Sequence, residues 1–307
     1  MSLPRLLLID LTPIGGGSAT GELKAMYFGD WPAGSLMHLR CRPDGSLVYS
    51  VYSHGDVIDL PTPQDEYGVL QTAKNFDPEF IMYRPVADHA ALHHAAMRII
   101  TDLGAPYSIW IMDDWLARLQ ASDETAHACY DEDLRRLFSA SAANFAISKP
   151  MAEALGRQYD CAMTVARNGV IAADWPEPST RRHGEPLSIR YAGSLAKDTT
   201  RESVRDVANA VARLRAEGLR MEFEIRTQQT WLDEFGAALG EIDGVSVKLA
   251  DFPPAQYRQW LCDADIALVA YNFDDETRRY LHSSFANKVP ELLATGAAVL
   301  AYGPPEL

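Results

Sequence analysis

Short apolar runs alternate with amphipathic stretches along the whole chain. Runs such as Leu6–Leu11, Phe80–Tyr83 and Tyr107–Met112 have the length of single β-strands. Between such runs, apolar residues recur three or four positions apart, which is the spacing of one helix face. Strands that alternate with helices are typical of parallel sheets. The pattern therefore predicts an α/β fold.

A proline-rich stretch divides this alternation in two. Residues 171–186 contain three prolines and several charges without an apolar period, which indicates a linker. A chain of 307 residues is long enough for two domains of ordinary size. We predict a first domain over residues 1–170 and a second over residues 187–307. The strands predicted for the second domain are Leu187–Tyr191, Met221–Arg226, Val245–Leu249, Ile266–Tyr271 and Ala297–Ala301.

Local signals predict three further features. Leu36–Arg40 and Leu47–Tyr52 flank a Pro-Asp-Gly turn, which indicates an antiparallel hairpin at an edge of the first sheet. Thr199 and Glu202 have the spacing of a capping box, and we expect a helix from there to Gly218. His93 lies in a predicted helix without a neighbouring carboxylate or cysteine, so we interpret that helix as a surface helix and not as a metal site.

The last helix of the chain is predicted in some detail. Val289, Leu292 and Leu293 have the spacing of one apolar helix face. Pro290 is tolerated only in a first turn, and Gly296 stands where a left-handed residue would end the helix. The following apolar run predicts a strand covered on both faces. Ser284, Phe285 and Lys288 would then lie at a helix N-terminus, where amides and the helix dipole favour an anion.

Composition and charge exclude several classes of protein. The net charge of −14 opposes nucleic-acid binding, which needs a basic face. No apolar run approaches the 18 residues of a membrane span. The four cysteines have neither metal nor disulfide spacing, which suits a reducing compartment. We expect a cytoplasmic protein; a peripheral position at the inner membrane face is compatible with this, although no basic amphipathic patch is apparent.

Two acidic residues follow a predicted buried strand directly. Asp113 and Asp114 come after Tyr107–Met112, and ligands of open α/β sheets gather at the carboxyl ends of strands. Either carboxylate is therefore a candidate for acceptor binding or for charge stabilisation. The alternative is that one of them caps the following helix.

The segment Ser283–Gly303 resembles the donor-binding segment of retaining GT-B glycosyltransferases, in particular glycosyltransferase family 4. The resemblance implies two Rossmann-like domains that face a cleft and a nucleotide-sugar donor carrying UDP, GDP or dTDP. It also implies that Glu291 holds the ribose. Ser283 stands where the family usually has a second glutamate.

The same resemblance extends to other loops. Gly193–Asp198 matches the phosphate-contacting loop, with Lys197 at the lysine of that motif and Ser194 in place of its arginine. Gly16 and Gly17 match the glycine-rich loop after the first strand. The candidate catalytic residues are Asp113, Asp114 and Lys197. The candidate donor-binding residues are Gly16, Gly17, Gly193, Ser194, Arg226, Phe252, Ser283, Ser284, Phe285, Lys288 and Glu291.

These observations predict a glycosyltransferase that moves a sugar from a nucleotide sugar to a hydroxyl of a glycan or lipid-linked acceptor. Neither Asp-x-Asp sequence stands at the end of a predicted strand, so we expect metal-independent catalysis by lysine and backbone amides. Retention of configuration is implied by the resemblance. Family members continue for one or two more helices, so we expect an incomplete second domain with an exposed apolar surface. The alternatives are a sugar-nucleotide 2-epimerase of the same fold and a non-catalytic nucleotide-sugar binder.

Overall fold

The computed structural model describes residues 3–15, 18–42, 44–53, 56–87, 89–178 and 185–305. The chain forms two compact units. The first consists of Met1–Asn168 together with Ser283–Phe285, and the second of Gly169–His282 and Ala286–Leu307. The short segment Ser283–Phe285 therefore belongs to the first unit although its sequence neighbours belong to the second.

A mixed sheet forms the centre of the first unit. Its strands are β1 (Leu6–Ile9), β2 (Leu36–Cys41), β3 (Leu47–Ser53), β4 (Asp56–Asp59), β5 (Phe80–Tyr83), β6 (Tyr107–Ile111), β7 (Ala143–Ala146) and β8 (Thr164–Val165). The order across the sheet is β4-β3-β2-β1-β5-β6-β7-β8. All neighbours pair in parallel except β2 with β3 and β3 with β4. The predicted hairpin at an edge of the sheet is confirmed, and β4, which was not predicted, extends it.

Six helices are described in the first unit: α1 (Ala19–Phe28), α2 (Glu66–Phe76), α3 (Ala90–Leu103), α4 (Trp115–Ser122), α5 (Glu124–Ala140) and α6 (Lys149–Tyr159). Every residue of β1 is buried because β1 has strands on both sides and helices against the sheet. Helix α3 is amphipathic, and its His93 is buried. Helix α3 is thus a surface helix, as interpreted from the sequence, and His93 lies on its buried face. Its imidazole lies 2.7 Å from the Tyr83 hydroxyl and 3.2 Å from Asp133 Oδ2, a carboxylate that comes from α5.

The second unit contains a parallel sheet. Its strands are β9 (Leu187–Ala192), β10 (Met221–Thr227), β11 (Val245–Leu249), β12 (Ile266–Ala270) and β13 (Ala298–Tyr302), in the order β11-β10-β9-β12-β13. Its α-helices are α7 (Arg201–Ala216), α8 (Gln229–Trp231), α9 (Ala237–Gly240), α10 (Pro254–Cys262), α11 (Asp275–Leu281) and α12 (Val289–Ala294). A π-helical turn, Leu232–Gly236, joins α8 to α9. The five strands predicted for this half are confirmed.

The end of the chain corrects two sequence-based expectations. Helix α12 carries Pro290 in its first turn as predicted, and Leu292 is 3% exposed, but Leu293 is 67% exposed. Adjacent residues of a helix point about 100° apart, so one can be buried while the other is exposed. Strand β13 is an edge strand, and Val299 and Leu300 are more than a third exposed. The expectation of a strand covered on both faces was therefore wrong. Among the described residues, no helix has the length and apolar character needed to cross a membrane.

Candidate functional site

The loop that follows β9 is held from inside the second unit. The hydroxyls of Tyr191 and Thr200 donate hydrogen bonds to the backbone oxygen of Ser194, over 2.7 Å and 2.8 Å. The oxygen of Ala196 accepts from the amides of the three residues that lead into α7. Gly193 and Ser194, two predicted donor-binding residues, therefore stand in a loop whose carbonyl groups are engaged by the protein.

Two buried residues at the carboxyl end of β12 and in α11 hold the second half of this loop. The side-chain amide of Asn272 donates to the backbone oxygen of Lys197 over 2.8 Å. The hydroxyl of Thr277 lies 2.8 Å from the backbone oxygen of Asp198. Both side chains are almost completely buried, so these contacts are not exchanged with solvent.

The backbone amides of the same loop differ from its carbonyl groups in their hydrogen bonding. Within the described part of the chain, no group accepts a hydrogen bond from the amides of Ser194, Leu195, Ala196 or Lys197. Successive backbone amides that are directed to one side of a loop can bind an anion. The side chain of Lys197 is exposed beside them. The loop can therefore offer both amides and a cation to a phosphate group.

The start of α7 differs from the predicted capping box. The N-cap residue is Thr200, one position later than predicted, and its side chain does not cap the helix. Glu202 instead forms ion pairs with Arg201 and Arg205. The amide of Ser203 donates to Oδ1 of Asn272 over 3.2 Å. The capping box was therefore wrong, because a residue from another element provides the acceptor.

Lys288 lies at the base of the same loop. Its ammonium group donates to the backbone oxygen of Ala192, the last residue of β9. Burial lowers the pKa of Lys288, and the negative charge of Glu291 acts in the opposite direction. The structure thus brings two predicted residues, Lys197 and Lys288, to the carboxyl end of one strand and the loop that follows it.

Glu291 is held by an aromatic residue of α10. The hydroxyl of Tyr257 donates to Oε2 of Glu291 over 2.8 Å. The ring of Tyr257 is stacked on Trp260 and packs at an angle against Phe252. Burial raises the pKa of Tyr257 well above its usual range, and the Glu291 carboxylate adds to the effect. Tyr257 is therefore a neutral phenol that stays protonated and donates to Glu291.

Arg226 and Phe252, two predicted donor-binding residues, are in contact. The Arg226 guanidinium lies 4.4 Å from the centre of the Phe252 ring. Its Nε donates to Oε1 of Glu224 over 2.6 Å, and its Nη1 donates to the backbone oxygen of Leu249. Although burial would raise the pKa of Glu224, the charges of Arg226 and Lys248 hold it below its usual range. Glu224 was not predicted as part of this cluster.

The two acidic residues after β6 have separate roles. Asp114 is the N-cap of α4, and its Oδ1 accepts from the amide of Ala117 over 3.0 Å. The capping alternative thus describes Asp114. Asp113 accepts a hydrogen bond over 3.0 Å from Arg84 Nη2, and its side chain is 31% exposed. Asp113 therefore remains accessible at the carboxyl edge of the first sheet.

Behind Asp113 lies a buried ionic network that sequence reasoning missed. Asp10 pairs with Lys24 over 2.7 Å and with Arg84 over 2.9 Å, and the side chains of Asp10 and Lys24 are fully buried. Burial alone would raise the pKa of Asp10, but the charges of Arg84 and Lys24 hold it well below its usual range. Burial lowers the pKa of Lys24 to about 8, against the attraction of Asp10. The signal available in the sequence was an acid directly after the first strand.

A histidine completes the network. His38 Nε2 lies 3.1 Å from the backbone oxygen of Asp10, and its Nδ1 lies 3.1 Å from the Tyr52 hydroxyl. The carbonyl oxygen can only accept, so Nε2 carries the proton of the neutral imidazole. Burial and the charge of Lys24 lower the pKa of His38 to about 3. His38 is therefore neutral at physiological pH.

Ser283, Ser284 and Phe285 were predicted at the donor-binding helix, and the structure groups them with the first unit. Ser283 Oγ donates to Oδ2 of Asp114 over 3.3 Å, and its backbone oxygen accepts from the hydroxyl of Ser148. Phe285 packs against the first unit's core, and the Ser284 hydroxyl is buried without a partner among the described residues. The predicted residues Gly16 and Gly17 lie outside the described residues.

The described residues contain no group of three or more His, Cys, Asp or Glu side chains that could hold a metal ion.

Comparison with solved structures connects the fold to known proteins. The chain is similar to sucrose-phosphate synthase from Thermosynechococcus elongatus, with a TM-score of 0.66 and 11% identity over 96% of this chain and 80% of the other. It is similar to TarM, with a TM-score of 0.54 and 9% identity over 86% of this chain and 49% of the other. It is also similar to the pneumococcal O-GlcNAc transferase GtfA, solved with UDP and GlcNAc, with a TM-score of 0.50 and 14% identity over 84% of this chain and 50% of the other.

These similarities are at the level of structure. The chain matches no protein-family model, and no curated protein is significantly similar to it in sequence. At identities of 9–14% the comparisons show the fold. The chain has the α/β fold with two largely parallel sheets that is found in GT-B glycosyltransferases.

Proposed function

We propose that the protein is a glycosyltransferase that moves a sugar from a nucleotide-sugar donor to an acceptor hydroxyl. The observation that carries the proposal is the loop after β9. Its carbonyl groups are held inside the second unit, four successive amides have no acceptor among the described residues, and Lys197 and Lys288 flank it. This arrangement is suited to the diphosphate of an activated sugar.

The donor would be bound along the carboxyl ends of the second sheet. The loop amides and the two lysines would hold the diphosphate. Glu291, oriented by Tyr257, would accept hydrogen bonds from ribose hydroxyls. Arg226 and Phe252, stacked on each other, would contact the base of UDP, GDP or dTDP. The fold similarity to GtfA, a protein solved with UDP and GlcNAc, supports a donor of this class.

Sugar transfer requires stabilisation of a departing diphosphate. Fixed amides and lysines provide this without a metal ion, and the loss of one such donor raises the barrier by about 3 kcal/mol. We therefore propose metal-independent transfer with retention of configuration. Asp113, held by Arg84, is proposed to bind a hydroxyl of a glycan or lipid-linked acceptor. Because Asp114 caps α4 through a hydrogen bond from Ala117, we propose only a secondary role for it in acceptor binding.

A thermal-shift panel of UDP, GDP and dTDP, with and without EDTA, tests the proposal. We expect at least one nucleotide to raise the melting temperature, and EDTA to leave the shift unchanged. Lys197→Ala and Glu291→Ala should each reduce the shift, whereas Lys149→Ala, which removes an exposed lysine of the first unit, should not. Melting curves that do not move with any nucleotide would reject the donor site.

Product analysis then separates the classes of enzyme. The proposed transferase needs an added acceptor to consume the sugar of its donor. Conversion of the donor alone into an isomer would instead identify an epimerase, and nucleotide binding without any turnover would identify a binding protein.

A further inference from the structure

Asn272 connects the loop Gly193–Asp198, which would bind the diphosphate, to helix α7. It stands two residues after the end of β12 and is 2% exposed. Its backbone amide donates to the oxygen of Thr199 over 2.7 Å. The backbone of Asn272 is thus anchored to the same loop as its side chain.

The side chain makes one contact as donor and one as acceptor. Nδ2 donates to the oxygen of Lys197 over 2.8 Å, and Oδ1 accepts from the amide of Ser203 over 3.2 Å. The Lys197 oxygen can only accept and the Ser203 amide can only donate, so both amide atoms of Asn272 are assigned by their partners. A carboxylate at this position would keep the second contact and lose the first.

The contact with Lys197 restrains one peptide of the loop. The oxygen of Lys197 points inward because Asn272 holds it, and rotation of that peptide would redirect the amide of Asp198 and the side chain beside it. A loop that is already ordered loses less conformational entropy when it binds a ligand. The ordering by Asn272 therefore favours binding at the loop without contact between Asn272 and the ligand.

We propose that Asn272 is a positioning residue for the donor diphosphate. This inference rests on the proposed function, since it assigns to Asn272 the ordering of the loop that would bind the diphosphate. Asn272 acts through the backbone of residues 194–198. It contributes to the affinity for the diphosphate and not to the affinity for the nucleoside.

Calorimetric titration of the protein with UDP and with uridine tests the inference. If the thermal-shift panel selects another base, GDP and guanosine or dTDP and thymidine are used instead. In Asn272→Asp the contact with Lys197 is lost at nearly unchanged size. We expect about tenfold weaker binding of UDP and uridine binding within about twofold of the wild type. The uncharged variant Asn272→Ala should also weaken the binding of UDP. Its effect separates the loss of loop ordering from repulsion between the new carboxylate and the diphosphate.

Asn144→Asp is the matched control. Asn144 is a buried asparagine of the first unit whose Nδ2 also donates to a backbone oxygen, and its replacement should leave the ratio of the two affinities unchanged. Equal weakening of UDP and uridine in both Asn272 variants would show a purely structural role and overturn the inference, as would unchanged binding of both. If the wild-type protein binds no nucleoside diphosphate, the proposed function itself fails.

Discussion

The hydroxyl of Tyr257 donates a hydrogen bond to Oε2 of Glu291 over 2.8 Å. The two residues come from α10 and α12, and the Tyr257 ring is stacked on Trp260, a residue that is itself largely buried. This hydrogen bond restrains the direction of the Glu291 carboxylate. In the proposed donor site, this carboxylate would bind the ribose hydroxyls.

Removal of the Tyr257 hydroxyl should therefore affect recognition of the ribose. Tyr257→Phe retains the ring but removes its hydrogen bond to Glu291, and a hydrogen bond to a charged group contributes about 1.5–3 kcal/mol. We expect the preference for UDP over its 2′,3′-dideoxy analogue to fall by about tenfold, measured by calorimetric titration. Tyr67→Phe, at an exposed tyrosine, is the control. An unchanged preference in Tyr257→Phe would show that Glu291 needs no such orientation.

The buried network around Asp10 should dominate the stability of the first unit. Asp10→Asn leaves Lys24 and Arg84 without the charge that both contact, and breaking a buried pair in this way costs about 3–5 kcal/mol. Chemical denaturation followed by circular dichroism measures the change. Asp77→Asn, which alters an exposed pair with Arg5, should cost less than about 1 kcal/mol. Equal losses of stability in the two variants would contradict a dominant contribution of the buried network.

Acid should destabilise the protein through His38. Its pKa is about 3 in the folded chain against 6.5 ordinarily, so between these values the unfolded chain binds a proton that the folded chain does not. The free energy of unfolding should thus fall by about 1.4 kcal/mol per pH unit as the pH drops below 6.5. Burial also lowers the pKa of His93, which adds to the slope.

His38→Gln isolates this contribution. Denaturation curves measured between pH 7 and about 4 give the free energy of unfolding at each pH. Its slope against pH should be smaller in this variant by about 1.4 kcal/mol per pH unit, which corresponds to one proton. A His38 variant with the wild-type pH dependence would show that the imidazole titrates normally in the folded chain.

The two adjacent leucines of α12 provide a test of its packing. Leu292 is 3% exposed and Leu293 67% exposed. Leu292→Ala should cost about 2–4 kcal/mol of unfolding free energy because it leaves a cavity, whereas Leu293→Ala should change it by less than about 0.5 kcal/mol. Comparable costs in chemical denaturation would contradict the orientation of the helix.

Elements with strong local periodicity were predicted well. Phe80–Tyr83 and Val245–Leu249 have the same limits in the structure as in the sequence analysis. Predictions that needed knowledge of neighbours were wrong. The spacing of Leu293 predicts that it lies on a buried face. Whether an apolar residue is buried, however, depends on what packs against it, and of the two leucines of α12 only Leu292 is buried.

The candidate site shows the same division. The resemblance that singled out Lys197, Lys288 and Glu291 rests on motifs within short segments. The partners that hold these residues come from other elements: Asn272 is 75 positions from Lys197, and Tyr257 is 34 positions from Glu291. No local spacing encodes such pairs.

By itself, the sequence determined that this chain folds into alternating strands and helices in two halves, because hydrophobic period, proline and glycine act on neighbouring residues. Only the tertiary structure decided which side chains meet. Asp10, Arg84 and Asp113 form one ionic chain because parallel strands distant in sequence end at the same edge of a sheet. The amide of Ser203 is capped by Asn272 and not by its own N-cap residue, because the adjacent strand β12 delivers that side chain to the start of the helix.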